Sequence, residues 1–265
     1  MRQRPTEVIV AQSVFMIFWV LTVAVILIAG RRWQCARGFR DRMMAQWKPA
    51  LAIAVLFVVG MGLGGRGVFN PYAIAVFCQS LIGLALARSI ADYEPLPVMR
   101  SISRNEHVLR SVGLMLGVAL LLVPAALLIG SVGMSIAQQI FGEVPRTEEA
   151  MGMFPSNKTQ IFFLFLAGAG IAEETIYRLV CVSFFWRLTR RRGLAIFLSA
   201  LVFAAYHLSP LDSLYQVFWQ YPLSQFLSST LVGLIWGYVY AKRGYETAVL
   251  THTLSDWIPF LLFVA

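Results

Sequence analysis

Long stretches of this chain carry no charge, and the charges it does carry come in clusters. Val8 to Gly30 is one uncharged stretch and Ser111 to Gly142 is another. Each exceeds the ~20 apolar residues that a helix needs to cross a ~30 Å hydrocarbon layer. Cutting the sequence at its charge clusters and at its Pro and Gly turns predicts eight apolar helices, over about 8–30, 49–65, 68–87, 111–141, 161–186, 193–208, 222–241 and 247–265. Only Arg66 and Asn70-Pro71 divide the second from the third, and the fourth is long enough to tilt or to hold a surface turn after Pro124.

Composition narrows the class. Hydrophobic residues make up 58% and charged residues 13%, against roughly 25% charged in soluble domains, so a water-soluble fold is excluded. The expected fold is all-α: a polytopic helical membrane protein with about eight transmembrane helices and the lipid bilayer as its first partner. The first apolar stretch is followed by Arg31 and Arg32 with no small-residue cleavage pattern before them, so it reads as a retained span. Cys35, Cys78 and Cys181 are an odd number and imply no disulfide framework.

A net charge of +9 on a soluble protein would suggest nucleic acid, but here the Lys and Arg residues sit in short loops, and no nucleic-acid partner is expected. Loops 31–48, 88–110, 187–192 and 242–246 hold 6, 4, 4 and 2 of them, whereas the N-terminal residues and the intervening loops hold 2, 1, 2 and 0. Basic loops stay in the cytoplasm, which places both termini outside it. Leu211 to Gln225 carries Tyr215, Phe218, Trp219 and Tyr221 and no basic residue, as an interfacial anchor or a shallow re-entrant gate would.

Ionisable groups at bilayer depth are costly, and those that persist usually face the protein interior and have a role. The first four predicted spans hold none, while the last four hold Glu173, Glu174, Arg178, His207, His252 and Asp256. Residues 1–160 therefore read as transmembrane scaffold and 161–265 as the functional core of one integrated domain. Glu174 and Arg178 are four apart, on one helical face and in the favourable order for an ion pair. Glu173 points about 100° away, as a carboxylate free to act as a base would. Asp256 lies one turn after His252 and can reach it. Counted from the nearest basic loop at ~1.5 Å per residue, Glu174, His207 and His252 lie roughly 20, 22 and 14 Å deep, so they can converge. His107, in a basic loop, reads as a solvated surface residue.

These residues resemble three ordered motifs of the CPBP family of intramembrane proteases, which includes the type II CAAX prenyl endopeptidases and members tied to bacteriocin processing and immunity. Glu173, Glu174 and Arg178 meet Glu-Glu-x-x-x-Arg, Phe203 and His207 meet Phe-x-x-x-His, and His252 and Asp256 meet His-x-x-x-Asn/Asp. The resemblance spans about residues 161–260. It implies a glutamic-type endopeptidase acting on a membrane-anchored protein or peptide, with Glu173 and His207 activating water and His252 and Asp256 stabilising the oxyanion. Glu174 contributes to the site, while Arg178, Phe203 and Tyr177 support it. An ionised Asp cannot donate a hydrogen bond, so Asp256 is either protonated or an orienter of His252. No cofactor is implied, although two His with carboxylates could hold zinc. The alternatives from other classes are a proton-coupled transporter and a non-catalytic scaffold or immunity protein.

Overall fold

The computed structural model describes residues 6–68, 70–143, 152 and 154–263, and among them every regular element is a helix. In chain order these are α1 (Thr6–Arg32), α2 (Gln34–Ala45), α3 (Trp47–Leu63), α4 (Tyr72–Ala87), α5 (Pro97–Arg104), α6 (Val108–Phe141), α7 (Lys158–Thr189), α8 (Arg192–Tyr206), α9 (Tyr215–Phe218), α10 (Pro222–Arg243) and α11 (Tyr245–Phe263). The predicted segment ends at 69 and 264–265, and the basic residues Arg2, Arg4 and Arg146, lie outside the described residues.

Each of the eight predicted segments contains a helix, but among the described residues fewer than eight have the length and apolarity of a complete crossing. Those that do are α1, α6 and α7, joined by a fourth if α2 and α3, bent 52° from one another, count as one span. With 16 and 15 residues, α4 and α8 extend only roughly 22–24 Å. α10 and α11 are longer but carry many polar side chains. α6 runs unbroken through Pro124, so the surface turn anticipated there does not form. The apolar pattern also passes over α2 and α5, which are short polar helices in the basic loops.

α7 is the central helix. Of its most apolar window 61% is buried, against 6% for α1 and 17% for α6. Its Ala167, Ile171, Leu179 and Val182 share one core cluster with Ile53 and Phe57 of α3, Leu81 and Leu84 of α4, Tyr240 of α10 and Ala248 of α11. The core thus draws on both halves of the chain. α1 and α6 turn Val14, Leu21, Val25, Leu120, Leu121 and Leu128 outward, and such continuous apolar exposure marks the face of an integral membrane protein.

A layer of hydroxyls closes the end bearing the basic loops. Tyr93 donates to the Tyr240 carbonyl at 2.6 Å, and the Tyr240 and Ser183 hydroxyls share a 2.6 Å bond. Below them the Tyr245 hydroxyl bonds Thr175 at 2.8 Å and donates to the Ile171 carbonyl at 3.2 Å. The Glu246 carboxylate accepts from the Val98 and Met99 N–H groups at 3.3 and 2.7 Å, tying the start of α5 to α11.

Candidate active site

The middle of α7 changes register. Leu166–Glu173 and Thr175–Val182 are π-helical, with i→i+5 bonding in place of i→i+4, and such segments are frequent at functional sites. Gly170 lets this stretch approach α11, since a Cβ there would collide with Thr253 Oγ1 and Val249. Above this contact lies a cavity of ≈ 730 Å³ lined by Glu173, His207, His252 and Asp256.

The two adjacent glutamates have different surroundings. The Glu173 side chain is 19% exposed and lines the cavity, whereas Glu174 is 0% exposed. Glu174 Oε1 lies 2.9 Å from His252 Nδ1, and its Oε2 lies 3.3 Å from Arg178 Nε. The ion pair expected from spacing therefore forms, and it also holds an imidazole. The Arg178 guanidinium sits 4.8 Å from the Phe203 ring centre and 5.7 Å from that of Trp236, within cation–π reach of both.

His252 is fixed on three sides. Its ring stacks on Trp236 at 3.5 Å and 22°, Nδ1 faces Glu174, and Nε2 lies 3.5 Å from Asp256 Oδ2 and 3.9 Å from Glu173 Oε2. The direct hydrogen bond that sets the ring is thus made by Glu174, while Asp256 sits at the opposite nitrogen.

His207 occupies the end of α8, where Nδ1 is 2.9 Å from the Phe203 carbonyl. A carbonyl only accepts, so Nδ1 carries the proton and Nε2 is the nitrogen left for chemistry. Phe203 packs edge-on against His207, with ring centres 4.6 Å apart, and touches Tyr177 at 5.1 Å. The Tyr177 carbonyl in turn accepts from Ser199 Oγ. Phe203 thus packs against His207, His252 and Tyr177 together.

Two residues at the site escape the motif reading. Asp212 Oδ2 lies 4.0 Å from His207 Nε2, and its other oxygen accepts from the Leu214 N–H at 2.7 Å. Burial pushes the Asp212 carboxyl up to about 7 although the Leu214 bond pulls it down. Trp236 is the second. Asp212 follows His207 closely enough in sequence to be noticed, but Trp236 carries no sequence signal beyond its aromatic ring.

The segment carrying Asp212 lies across the cavity, with Leu211, Asp212 and Phe218 in its lining. It is pinned to α1: Gln12 donates to the Leu211 carbonyl at 3.0 Å, and Tyr215 and Gln216 both bond Glu7. Its aromatics divide between roles, Trp219 being exposed and Tyr221 buried. The N-terminal half also enters the site, since Gln12, Arg66 and Tyr72 line the cavity.

Among the described residues no group of three or more His, Cys, Asp or Glu has the arrangement of a metal centre.

Residues 155–258 match the family model of Type II CAAX prenyl endopeptidase Rce1-like proteins, in agreement with the family resemblance carried by the three motifs. The match runs from the start of α7 nearly to the end of α11 and contains every motif residue. No curated protein and no solved structure matches the chain.

Proposed function

We propose that this chain is an intramembrane endopeptidase of glutamic type, acting on a membrane-anchored protein or peptide. The observation that carries the reading is the asymmetry of the glutamate pair: Glu173 faces the cavity while its neighbour is held away from it by Arg178 and His252. A water in the cavity gives its proton to the Glu173 carboxylate as its oxygen bonds to the scissile carbonyl carbon. The carbonyl π electrons move to oxygen. Collapse of the tetrahedral species breaks the C–N bond, and the proton returns from Glu173 to the leaving nitrogen.

His207 holds the same water through Nε2. His252, when doubly protonated, donates from Nδ1 to Glu174 and from Nε2 to the oxyanion, the kind of preorganised donor that acyl-transfer sites require. Glu174 takes the orienting role that spacing alone had left open to Asp256. No covalent enzyme intermediate forms.

The test uses purified protein and membrane-fraction proteomics from cells with wild type or Glu173→Gln. The substitution keeps size and removes the base, so cleavage should fall at least ~100-fold in a variant that still folds. Near-normal cleavage would remove Glu173 from the mechanism. Purified enzyme should also keep its activity after exhaustive chelation; loss of activity that added zinc restores would overturn the metal-free reading.

A further inference from the structure

The cavity reaches inward as far as Tyr177, Trp236 and His252, and beyond them it is lined by the same end of each long helix it touches. Gln12 lies near the start of α1, Met61 near the end of α3, Tyr72 at the start of α4, Met134 in the last third of α6, Gln225 near the start of α10 and Phe260 near the end of α11. The lining reaches exposed residues there, including Arg66, Ser131 and Ser213. Each of these helix ends is remote along its helix from a basic loop.

The other end is shut. Arg187 donates to the Ser89 carbonyl at 3.2 Å and the Tyr245 N–H donates to the Pro95 carbonyl at 2.8 Å, so three of the basic loops are drawn together. Beneath them Tyr240, Ser183, Thr175 and Tyr245 are each at most 3% exposed, and the buried Glu174–Arg178 pair forms the floor of the site. No cavity lining comes from residues 31–48, 88–110, 187–192 or 242–246.

Sixteen of the 22 Lys and Arg belong to those closed-end loops, and loops so enriched face the cytoplasm. We infer that the site admits its substrate only from the non-cytoplasmic side, so that the scissile bond belongs to the extracytoplasmic, membrane-proximal segment of an anchored polypeptide. The inference rests on the protease reading for the word substrate, but its geometry does not. The upper cavity suits such a segment: Phe57, Phe165 and Phe260 offer apolar contact for side chains, while Ser131, Ser228 and Ser229 offer hydroxyls for a backbone emerging from the bilayer.

Cysteine labelling in intact cells tests the orientation, with the full chain in the plasma membrane and a membrane-impermeant maleimide as probe. Cys35 is exposed in the first basic loop and serves as the closed-end reporter. Ser213→Cys and, on a separate helix, Ser131→Cys, each in a Cys35→Ser background, report the cavity end. Cys35→Ser alone gives the background from Cys78 and Cys181. The cavity-end cysteines should label in intact cells and Cys35 only after permeabilisation. Labelling of Cys35 first, or of no position until permeabilisation, would overturn the inference. The cleavage sites lost in Glu173→Gln cells supply the second readout. If they fall on cytoplasmic segments, the orientation is wrong and the protease reading stands. If labelling is as expected but no cleavage is lost, the orientation stands and the protease reading fails.

Discussion

Glu174 does two jobs with one carboxylate, holding His252 Nδ1 at 2.9 Å and Arg178 at 3.3 Å. Removing its charge leaves Arg178 buried without a counter-ion, a loss of about 3–5 kcal/mol, so Glu174→Gln should lower both thermal stability and activity. Asp256→Asn should retain its fold and much of its activity, because Asn can occupy the position beside Nε2 and the ring is already oriented from the other side. A folded but inactive Asp256→Asn variant, read beside Glu174→Gln, would return the orienting role to Asp256. Asp212, pushed up to about 7 by burial, holds its proton in the folded chain where the unfolded chain has lost it. Its contribution to stability therefore falls as pH rises toward 7. Once ionised it faces Nε2 of His207 and favours the protonated ring, which has no nitrogen left to accept from the water, so kcat/KM should fall through an ionisation near pH 7 that Asp212→Asn abolishes. An unchanged pH profile would leave Asp212 without a part. The motif residues are legible in the sequence because four-residue spacings on a helix mean one face. Trp236 is not, since it arrives on a neighbouring helix that no periodicity links to the motifs, and Asp212 stands near His207 in sequence but meets it through a loop rather than along a helical face.

The helix α7 shows how an element can be legible as an apolar segment and illegible in its register. Hydropathy places it, but nothing in a hydropathy pattern distinguishes i→i+4 from i→i+5 bonding, and the π-helical stretches at 166–173 and 175–182 emerge only from packing. The glycine at 170 is where that packing is tightest. Gly170→Ala should push α7 from α11, at a cost of about 1–3 kcal/mol for an overpacked contact, and carry His252 away from Glu174. Activity should fall more steeply than the melting temperature, and a variant with wild-type turnover would show that the approach of the two helices is not needed. Span number is legible only in part for a related reason. Charge clusters mark where apolar segments end, but α4 and α8 prove shorter than a bilayer, and α2 and α5 are polar enough to be read as loop.

At the scale of the whole molecule, the alternation of basic loops in the sequence corresponds to a physical asymmetry between a closed end and a hollow one. The division into scaffold and functional core is less sharp, because Gln12, Arg66 and Tyr72 from the first half line the cavity. The hydroxyl layer of Tyr93, Ser183, Tyr240 and Tyr245 has a bioenergetic consequence. A hydrated, acidic pocket that penetrates a membrane is half of a proton channel, and the ionisable chain Glu173, His252, Glu174 already extends it inward. What stops it is this layer, whose hydroxyls are engaged with one another or with carbonyls. Liposomes bearing the wild-type protein should hold a pH gradient as empty liposomes do, and Tyr245→Ala, which opens the layer between the ion pair and the basic loops, should let it decay. A gradient held equally by both would mean that the seal lies elsewhere. If the seal holds, a hydrolase built this way would take its water from one side of the membrane only, its dead end serving as insulation.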